Sequence, residues 1–325
     1  MKQIATMALA AFLFAGPVAA ADKVTLMLNW YVYGEHAPFY YGKEKGLYAA
    51  EGIDLNIQEG RGSAVTVQAV TARTANFGYV DVPTMIKAAA KGAPVISVGV
   101  LLQTSPMSAM GFAEKNIRKP EDIKGKTVAV TPGDSMSQIW PLFLKKTGLK
   151  ESDFNVVSGD GQTKLNAVIN GQADLLLGYV MDQSMKIKDA TGKQVYPIRF
   201  ADYDVNLVSS GIVANAEFVK ANEDLVRRFM SATTKAVEAA EKAPGEAAQS
   251  ILNTLPKGGK IDTLTEGFQL TIPLYRTAET KNERPFRATS ENMANSVALL
   301  VEYGGLDPKA KENPKAFYTN DYLPK

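Results

Sequence analysis

Aromatic, hydroxyl and acidic side chains gather at a few places where a polar turn follows a run of strand-forming residues. Trp30, Tyr31, Tyr33, Glu35, His36 and Tyr40 follow the first run, and Gly60-Arg61-Gly62-Ser63 follows the second. Tyr79 and Asp81 close the third, and farther along Gly133-Asp134-Ser135 and Tyr179 with Asp182 hold similar positions. Aromatic faces suit stacking on a planar ring. Gly-Ser segments that open helices leave free N–H groups for acceptors or anions. Arg61 can take a carboxylate or sulfonate through its guanidinium, or simply pair with neighbouring Glu59. Tyr and Trp at strand ends are also common core-edge residues. The candidate ligand contacts are therefore Trp30, His36, Tyr40, Arg61, Gly62, Ser63, Tyr79, Asp81, Gly133, Asp134, Ser135, Tyr179 and Asp182.

The same inventory argues against several chemistries. With a single His and no Cys, multi-His metal sites, Cys-ligated zinc, disulfides and Cys nucleophiles have no residues to build them, and Ser-His-Asp catalysis is disfavoured. Gly125-Lys126-Thr127 ends like a phosphate loop, but Pro120 stands where the first Gly is required and a strand follows instead of a helix. Gly60-Arg61-Gly62 opens like a dinucleotide fingerprint, but Val65 takes the place of its third Gly. Neither a Gly-x-Ser-x-Gly elbow nor a His-Glu-x-x-His helix occurs. No cofactor and no metal are expected.

The elements that must position these residues alternate. Strand patterns at 24–30, 53–58, 76–80 and 95–102 are interleaved with helix patterns at 38–50, 64–73 and 83–91. After Pro120 the alternation restarts, with strands at 126–131, 154–157, 174–179 and 195–200 and helices at 135–146, 163–170 and 181–190. Such alternation predicts largely parallel sheets flanked by helices, in two tandem α/β units. In parallel α/β sheets ligands bind beyond the carboxyl ends of strands, where the candidates stand. Gly78-Tyr79-Val80-Asp81 is echoed by Gly178-Tyr179-Val180 with Asp182 close behind, so each unit presents a Tyr at an equivalent strand end. The remainder is helical. Asn222 caps a helix that Pro244 stops, and Ser290 caps another that turns Met293, Val297, Leu300 and Val301 inward.

Lys2, the apolar run 4–15, Gly16-Pro17 and the small residues 18–21 form an export-leader pattern. The run is shorter than the ~20 residues needed to cross ~30 Å of hydrocarbon. Without Cys, a lipid anchor at the new N-terminus has no attachment point. The remaining residues are long enough for two lobes. A net charge of +2 with dispersed Lys and Arg gives no footprint for nucleic acid.

Ordered words along nearly the whole chain carry a family resemblance. They are Leu28-Asn29-Trp30, His36-Ala37-Pro38-Phe39-Tyr40, Lys43-Glu44-Lys45-Gly46-Leu47-Tyr48, Asn76-Phe77-Gly78, Asn170-Gly171-Gln172-Ala173-Asp174 and Phe317-Tyr318-Thr319-Asn320-Asp321-Tyr322-Leu323-Pro324. The chain resembles the periplasmic binding proteins of thiamine-pyrimidine, sulfonate, nitrate and taurine importers. The resemblance implies a type II periplasmic binding fold, with a leader at 1–21, a discontinuous first lobe at 22–106 plus 208–325, a second lobe at 107–207 and a two-segment hinge. It implies a monomeric, unanchored periplasmic protein that passes a small molecule to the permease and ATPase subunits of an ABC importer, without catalysis. His36 and the closing Thr-Asn-Asp-Tyr-Leu-Pro segment match the pyrimidine-precursor branch, which gives Trp30, His36, Tyr79 and Tyr179 as ring contacts and Ser135 and Asp182 as polar ones. The related pyrimidine-synthesising enzyme carries a Cys-rich motif that this chain lacks. Riboflavin, an aromatic carboxylate and a sulfonate or taurine stay open as ligands, and a synthase or a sensory module as other roles.

Overall fold

The computed structural model describes residues 20–325. The leader expected at 1–21 falls outside the described residues except for its last two positions. The first sheet contains β1 (Asp22–Met27), β2 (Ile53–Gln58), β3 (Phe77–Asp81), β4 (Val95–Val100) and β10 (Ser210–Asn215), in the order β2-β1-β3-β10-β4. The second contains β5 (Met107–Phe112), β6 (Thr127–Val130), β7 (Asn155–Ser158), β8 (Leu175–Tyr179) and β9 (Val195–Arg199), in the order β7-β6-β8-β5-β9. Around them pack α1 (Ala37–Glu44), α2 (Ser63–Thr71), α3 (Val82–Ala89), α4 (Ser135–Thr147), α5 (Gly161–Ile169) and α6 (Gln183–Thr191).

The expectation of largely parallel sheets needs one correction in each. β10 runs antiparallel to both β3 and β4, and β5 runs antiparallel to both β8 and β9. These are the strands the chain enters after each passage between the sheets. Their sequences, Met-Ser-Ala-Met-Gly-Phe and Ser-Gly-Ile-Val-Ala-Asn, are buried at every position. They therefore lack both the alternation and the β-branched density that mark a strand. Small residues are required there by packing. A Cβ on Gly111 would stand 2.2 Å from the Asp174 carbonyl oxygen, and one on Gly211 would stand 2.5 Å from that of Gly99.

The C-terminal part is helical, with α7 (Ala216–Ala221), α8 (Glu223–Lys242), α9 (Pro244–Thr254), α10 (Ile261–Thr271) and α11 (Ser290–Glu302). α8 buries Val226, Phe229, Thr233, Ala236 and Ala240 at helical spacing, and Phe229 stacks on Phe77 of β3 with ring centres 3.9 Å apart. Pro244 both ends α8 and opens α9 at its first position, where its missing N–H is harmless. The cap of α11 is Thr289 rather than Ser290, because the Thr289 hydroxyl accepts from the Asn292 N–H at 3.0 Å. In the second lobe Trp140 and Phe143 of α4 stack with Phe200, the last two at 4.2 Å.

The two passages between sheets run side by side. The Ser105 N–H donates to the Asn206 side chain at 3.1 Å, and the Ser209 N–H to the Leu102 carbonyl at 2.8 Å. Away from them the lobes meet again. α10 packs on α9 and also reaches α6 of the second lobe. A Cβ on Gly267 would stand 2.7 Å from the Met181 carbonyl oxygen. The ion pairs Lys188–Glu266 at 2.9 Å and Lys260–Asp189 at 2.7 Å bridge the same edge. The lobes are thus closed on one another. No described helix is long and apolar enough to cross a membrane.

Candidate functional site between the lobes

The segment after β1 leaves the sheet at a point fixed by Gly60. A Cβ there would lie 1.9 Å from the Leu28 carbonyl oxygen, which instead accepts from the Thr66 hydroxyl at 2.7 Å. The Gly60 and Gly62 N–H groups donate to the Trp30 and Asn29 carbonyls at 3.1 and 2.9 Å. Trp30 and Tyr31 are thereby held over the second lobe. The N-termini of α2 and α4 face each other across the gap, and a Cβ on Gly62 (φ 126°) would stand 3.1 Å from the Gly133 carbonyl oxygen. Asp134 caps α4, its side chain accepting from the Ser137 N–H at 2.7 Å.

These turns line a partly open cavity of about 30 Å³, room for one or two water molecules. Trp30, Gly62, Ser63, Asp134, Ser135, Tyr179 and Asp182 line it, together with Asn29, Tyr33, Met136, Lys164, Gly178 and Gln183. The other sequence candidates stand elsewhere. His36 and Tyr79 are fully buried behind the cavity wall, Tyr40 is buried in α1, Asp81 caps α3, Gly133 is exposed at the turn before α4, and Arg61 points to solvent. Arg61 does not pair with Glu59, whose carboxylate accepts from the Val32 N–H at 2.8 Å.

In and behind the wall the polar groups form two connected sets. Glu35 accepts from the Tyr79 hydroxyl at 2.6 Å and from the Tyr33 hydroxyl. Burial pushes its carboxyl above the usual range. His36 bridges Asn29 Oδ1, 2.8 Å from Nε2, and the Tyr33 N–H, 3.4 Å from Nδ1. The neutral Nε2–H tautomer satisfies both, and burial holds its pKa down at about 3. The second set links the lobes. Asp81 accepts from the Thr84 N–H at 3.2 Å and from the Ser209 hydroxyl at 3.1 Å. Ser209 Oγ lies 3.4 Å from the Tyr179 hydroxyl, which lies 3.1 Å from Ser135 Oγ. Burial raises the Asp81 pKa to about 7.

Two lysines that read in sequence as ordinary helix-surface residues complete the site. Lys164 is 1% exposed, with Nζ 3.1 Å from Asp134 Oδ2. Lys186 Nζ lies 3.9 Å from Asp182 Oδ1. Asp182 Oδ2 accepts from the Tyr31 hydroxyl at 2.9 Å and from the Gln183 amide, and burial raises the Asp182 pKa. Asp182 Oδ1 and Trp30 Nε1 are both buried without a hydrogen-bond partner among the described residues. Each lysine therefore has a carboxylate beside it, and one acceptor and one donor remain unused. Among the described residues no group of three or more His, Cys, Asp or Glu could hold a metal ion.

Residues 34–247 match the family described as NMT1/THI5 like. The riboflavin-binding protein RibY of Chloroflexus aurantiacus is 25% identical over 309 residues, covering 93% of this chain and 86% of that protein. A 4-amino-5-hydroxymethyl-2-methylpyrimidine phosphate synthase of Legionella pneumophila is 25% identical over 274 residues, covering 84% and 82%. The formylaminopyrimidine-binding protein of Halalkalibacterium halodurans is 25% identical over 296 residues, covering 90% and 83%. Among solved structures, the periplasmic aliphatic sulphonate binding protein SsuA from Escherichia coli superposes with a TM-score of 0.69 at 15% identity, over 93% of this chain and 99% of that one. The periplasmic nitrate-binding protein NrtA from Synechocystis PCC 6803 gives 0.68 at 13%, over 93% and 87%. These structures share the two-lobed periplasmic-binding-protein fold with this chain.

Proposed function

The chain belongs to the NMT1/THI5-like family, and from that premise we propose that it is an exported solute-binding protein of an ABC importer that traps a small neutral aminopyrimidine, of the hydroxymethyl- or formylaminopyrimidine type, between its lobes. The observation that carries this reading is the charge balance of the cavity. Lys164 sits beside Asp134, and Lys186 lies near Asp182, so among the described residues no uncompensated cation lines the cavity. A sulfonate, nitrate or carboxylate would have to compete with these carboxylates for a lysine, leaving a buried charge unpaired at a cost of about 3–5 kcal/mol. A neutral ring disturbs neither pair.

The unused polar atoms favour the same ligand. Asp182 Oδ1 accepts and Trp30 Nε1 donates. An exocyclic amino group beside a ring nitrogen offers the complementary donor and acceptor. Burying ~150–250 Å² of ring at ~25 cal/mol/Å² gives roughly 4–6 kcal/mol, and two hydrogen bonds at about 1 kcal/mol each bring the total toward micromolar affinity. The cavity between the lobes is smaller than a ring, so the lobes must part both to admit the ring and to make room for it. The adjacent passages at 101–106 and 204–209 are the hinge of that motion, with lobes near 22–106 plus 208–325 and 107–207. Relatives named for formylaminopyrimidine and riboflavin binding support a heteroaromatic solute.

A catalytic role, suggested by the relative named as a synthase, gains no support from this site. The single His is buried behind the wall and occupied by Asn29. Thermal-shift measurements against aminopyrimidines, riboflavin, taurine, alkanesulfonates and nitrate test the reading. Aminopyrimidines at a hundredfold excess over Kd stabilise the fold by about 2.7 kcal/mol, a shift of several degrees. Stabilisation by anions alone overturns it.

A further inference from the structure

Trp30 and Tyr31 belong to the first lobe, yet both rings lie against the second. A Cβ added to Gly161, the first residue of α5, would stand 2.6 Å from Cζ2 of Trp30 and 3.2 Å from Cε1 of Tyr31. The Trp30 ring is therefore seated on bare backbone. Lys164, three residues on and on the same helix face, places its Nζ 5.6 Å from the Trp30 ring centre. Lys186 of α6 places its Nζ 3.4 Å from the Tyr31 ring centre, and the Tyr31 hydroxyl donates to Asp182. Both lysines face the rings while standing near carboxylates of their own lobe. Their neutralisation therefore survives when the lobes separate, and what separation removes is the contact with the rings.

We infer that Trp30-Tyr31 is an interlobe latch, and that Gly161, Lys164 and Lys186 are positioning residues that set how strongly the closed form is favoured, whatever solute occupies the cleft. A cation facing an aromatic ring attracts it more strongly once water is excluded. Lys164 is buried in the closed form, so its attraction for Trp30 is realised only there. The glycine supplies the shape of the receptor and the lysines its charge. The latch rests on the proposed opening and closing of the lobes but not on the identity of the ligand.

The absence of Cys allows one cysteine to be placed on each lobe, at exposed Lys91 and Lys150, for a fluorescent dye pair. Single-molecule energy transfer then gives the ratio of closed to open molecules, both without added solute and with the aminopyrimidine. Gly161→Ala is expected to lower that ratio at least tenfold in both conditions while keeping the wild-type circular dichroism and melting cooperativity, since alanine suits a helix better than glycine. Lys186→Gln is expected to lower it roughly three- to thirtyfold, and Lys186→Arg to restore it. An unchanged ratio in Gly161→Ala and Lys186→Gln, an Arg variant no better than Gln, or a wild-type protein with no closed molecules without solute overturns the latch. Failure of the pyrimidine to bind leaves the solute-free comparison intact, so the two readings fail separately.

Discussion

Replacing Asp81 by Asn isolates one buried carboxylate whose ionisation is costly in the fold. Asp81 caps α3, is fully buried, and has its pKa raised from 3.8 to about 7 chiefly by desolvation. A carboxyl raised on folding holds its proton more tightly in the native state. Its contribution to stability is full below about pH 3.8 and is lost as pH rises through about 7. The interval of about three pH units, at 1.36 kcal/mol each, amounts to about 4 kcal/mol. Asparagine mimics the protonated acid. Its oxygen can accept from the Thr84 N–H while its amide donates to Ser209 Oγ, freeing the Ser209 hydroxyl to donate to Tyr179. The assay is urea unfolding of both proteins from pH 4 to 9. Near pH 4 they should match to within about 1 kcal/mol. By pH 9 Asp81→Asn should be the more stable by up to about 4 kcal/mol, with the change centred between pH 4 and 7. Glu35 and Asp182, raised for the same reason, remain in both proteins, so their own desolvation cancels in the difference. A stability difference flat with pH would show that Asp81 is ionised at no cost, and the reasoning from burial would fail.

Three further outcomes follow from named contacts. His36, with its pKa lowered to about 3 by burial, titrates with the opposite sign. Its neutral form stabilises the fold above about pH 6.5, and that contribution is lost as pH falls toward 3. As the only imidazole in the chain, it should appear in nitrogen NMR as the Nε2–H tautomer with no titration between pH 8 and 4.5, whereas a midpoint near 6.5 would contradict its burial. Trp140→Ala removes the ring stacked with Phe143 and Phe200 and should lower stability by about 3–5 kcal/mol in denaturant titrations; a loss under 1 kcal/mol would mean the cluster repacks freely. Gly60→Ala places a methyl 1.9 Å from the Leu28 carbonyl oxygen and should lower both stability and ligand affinity, because the same turn holds the Trp30 backbone; unchanged affinity by calorimetry would uncouple the two.

The two tandem α/β units were legible because their strands and helices carry clear periodicity, and the candidate residues follow from strand ends. The antiparallel strands β5 and β10 were not legible, because both are buried on both faces and so show no alternation, β5 has no β-branched residue, and β10 has only the pair Ile212-Val213 among small residues. Nor was α10 anticipated, although it carries the ion pair from Glu266 to the second lobe. Within the site, strand-end reasoning placed Trp30, Ser135, Tyr179 and Asp182 on one cavity. It could not decide which way a side chain turns. His36 and Tyr79, one turn or one strand away, point behind the wall to Asn29 and Glu35. Lys164 was missed because a lysine within a helix resembles a solvated face; only the fold reveals Asp134 and Trp30 against it. Glu35, Tyr31 and Tyr33 stood in the same run as the chosen candidates, and their shared role appears only when Tyr79 and Asp182 arrive from distant strands.

The central claim is that compensated charges and two unused polar atoms, Asp182 Oδ1 and Trp30 Nε1, suit the cleft to a neutral aminopyrimidine. Isothermal titration calorimetry with hydroxymethyl- and formylaminopyrimidine, followed by NMR of the recovered compound, measures this most directly. One site with micromolar or tighter affinity and an unaltered pyrimidine is the predicted result. Binding of a sulfonate or nitrate with no heat from either pyrimidine, or chemical conversion of the bound pyrimidine, would contradict it.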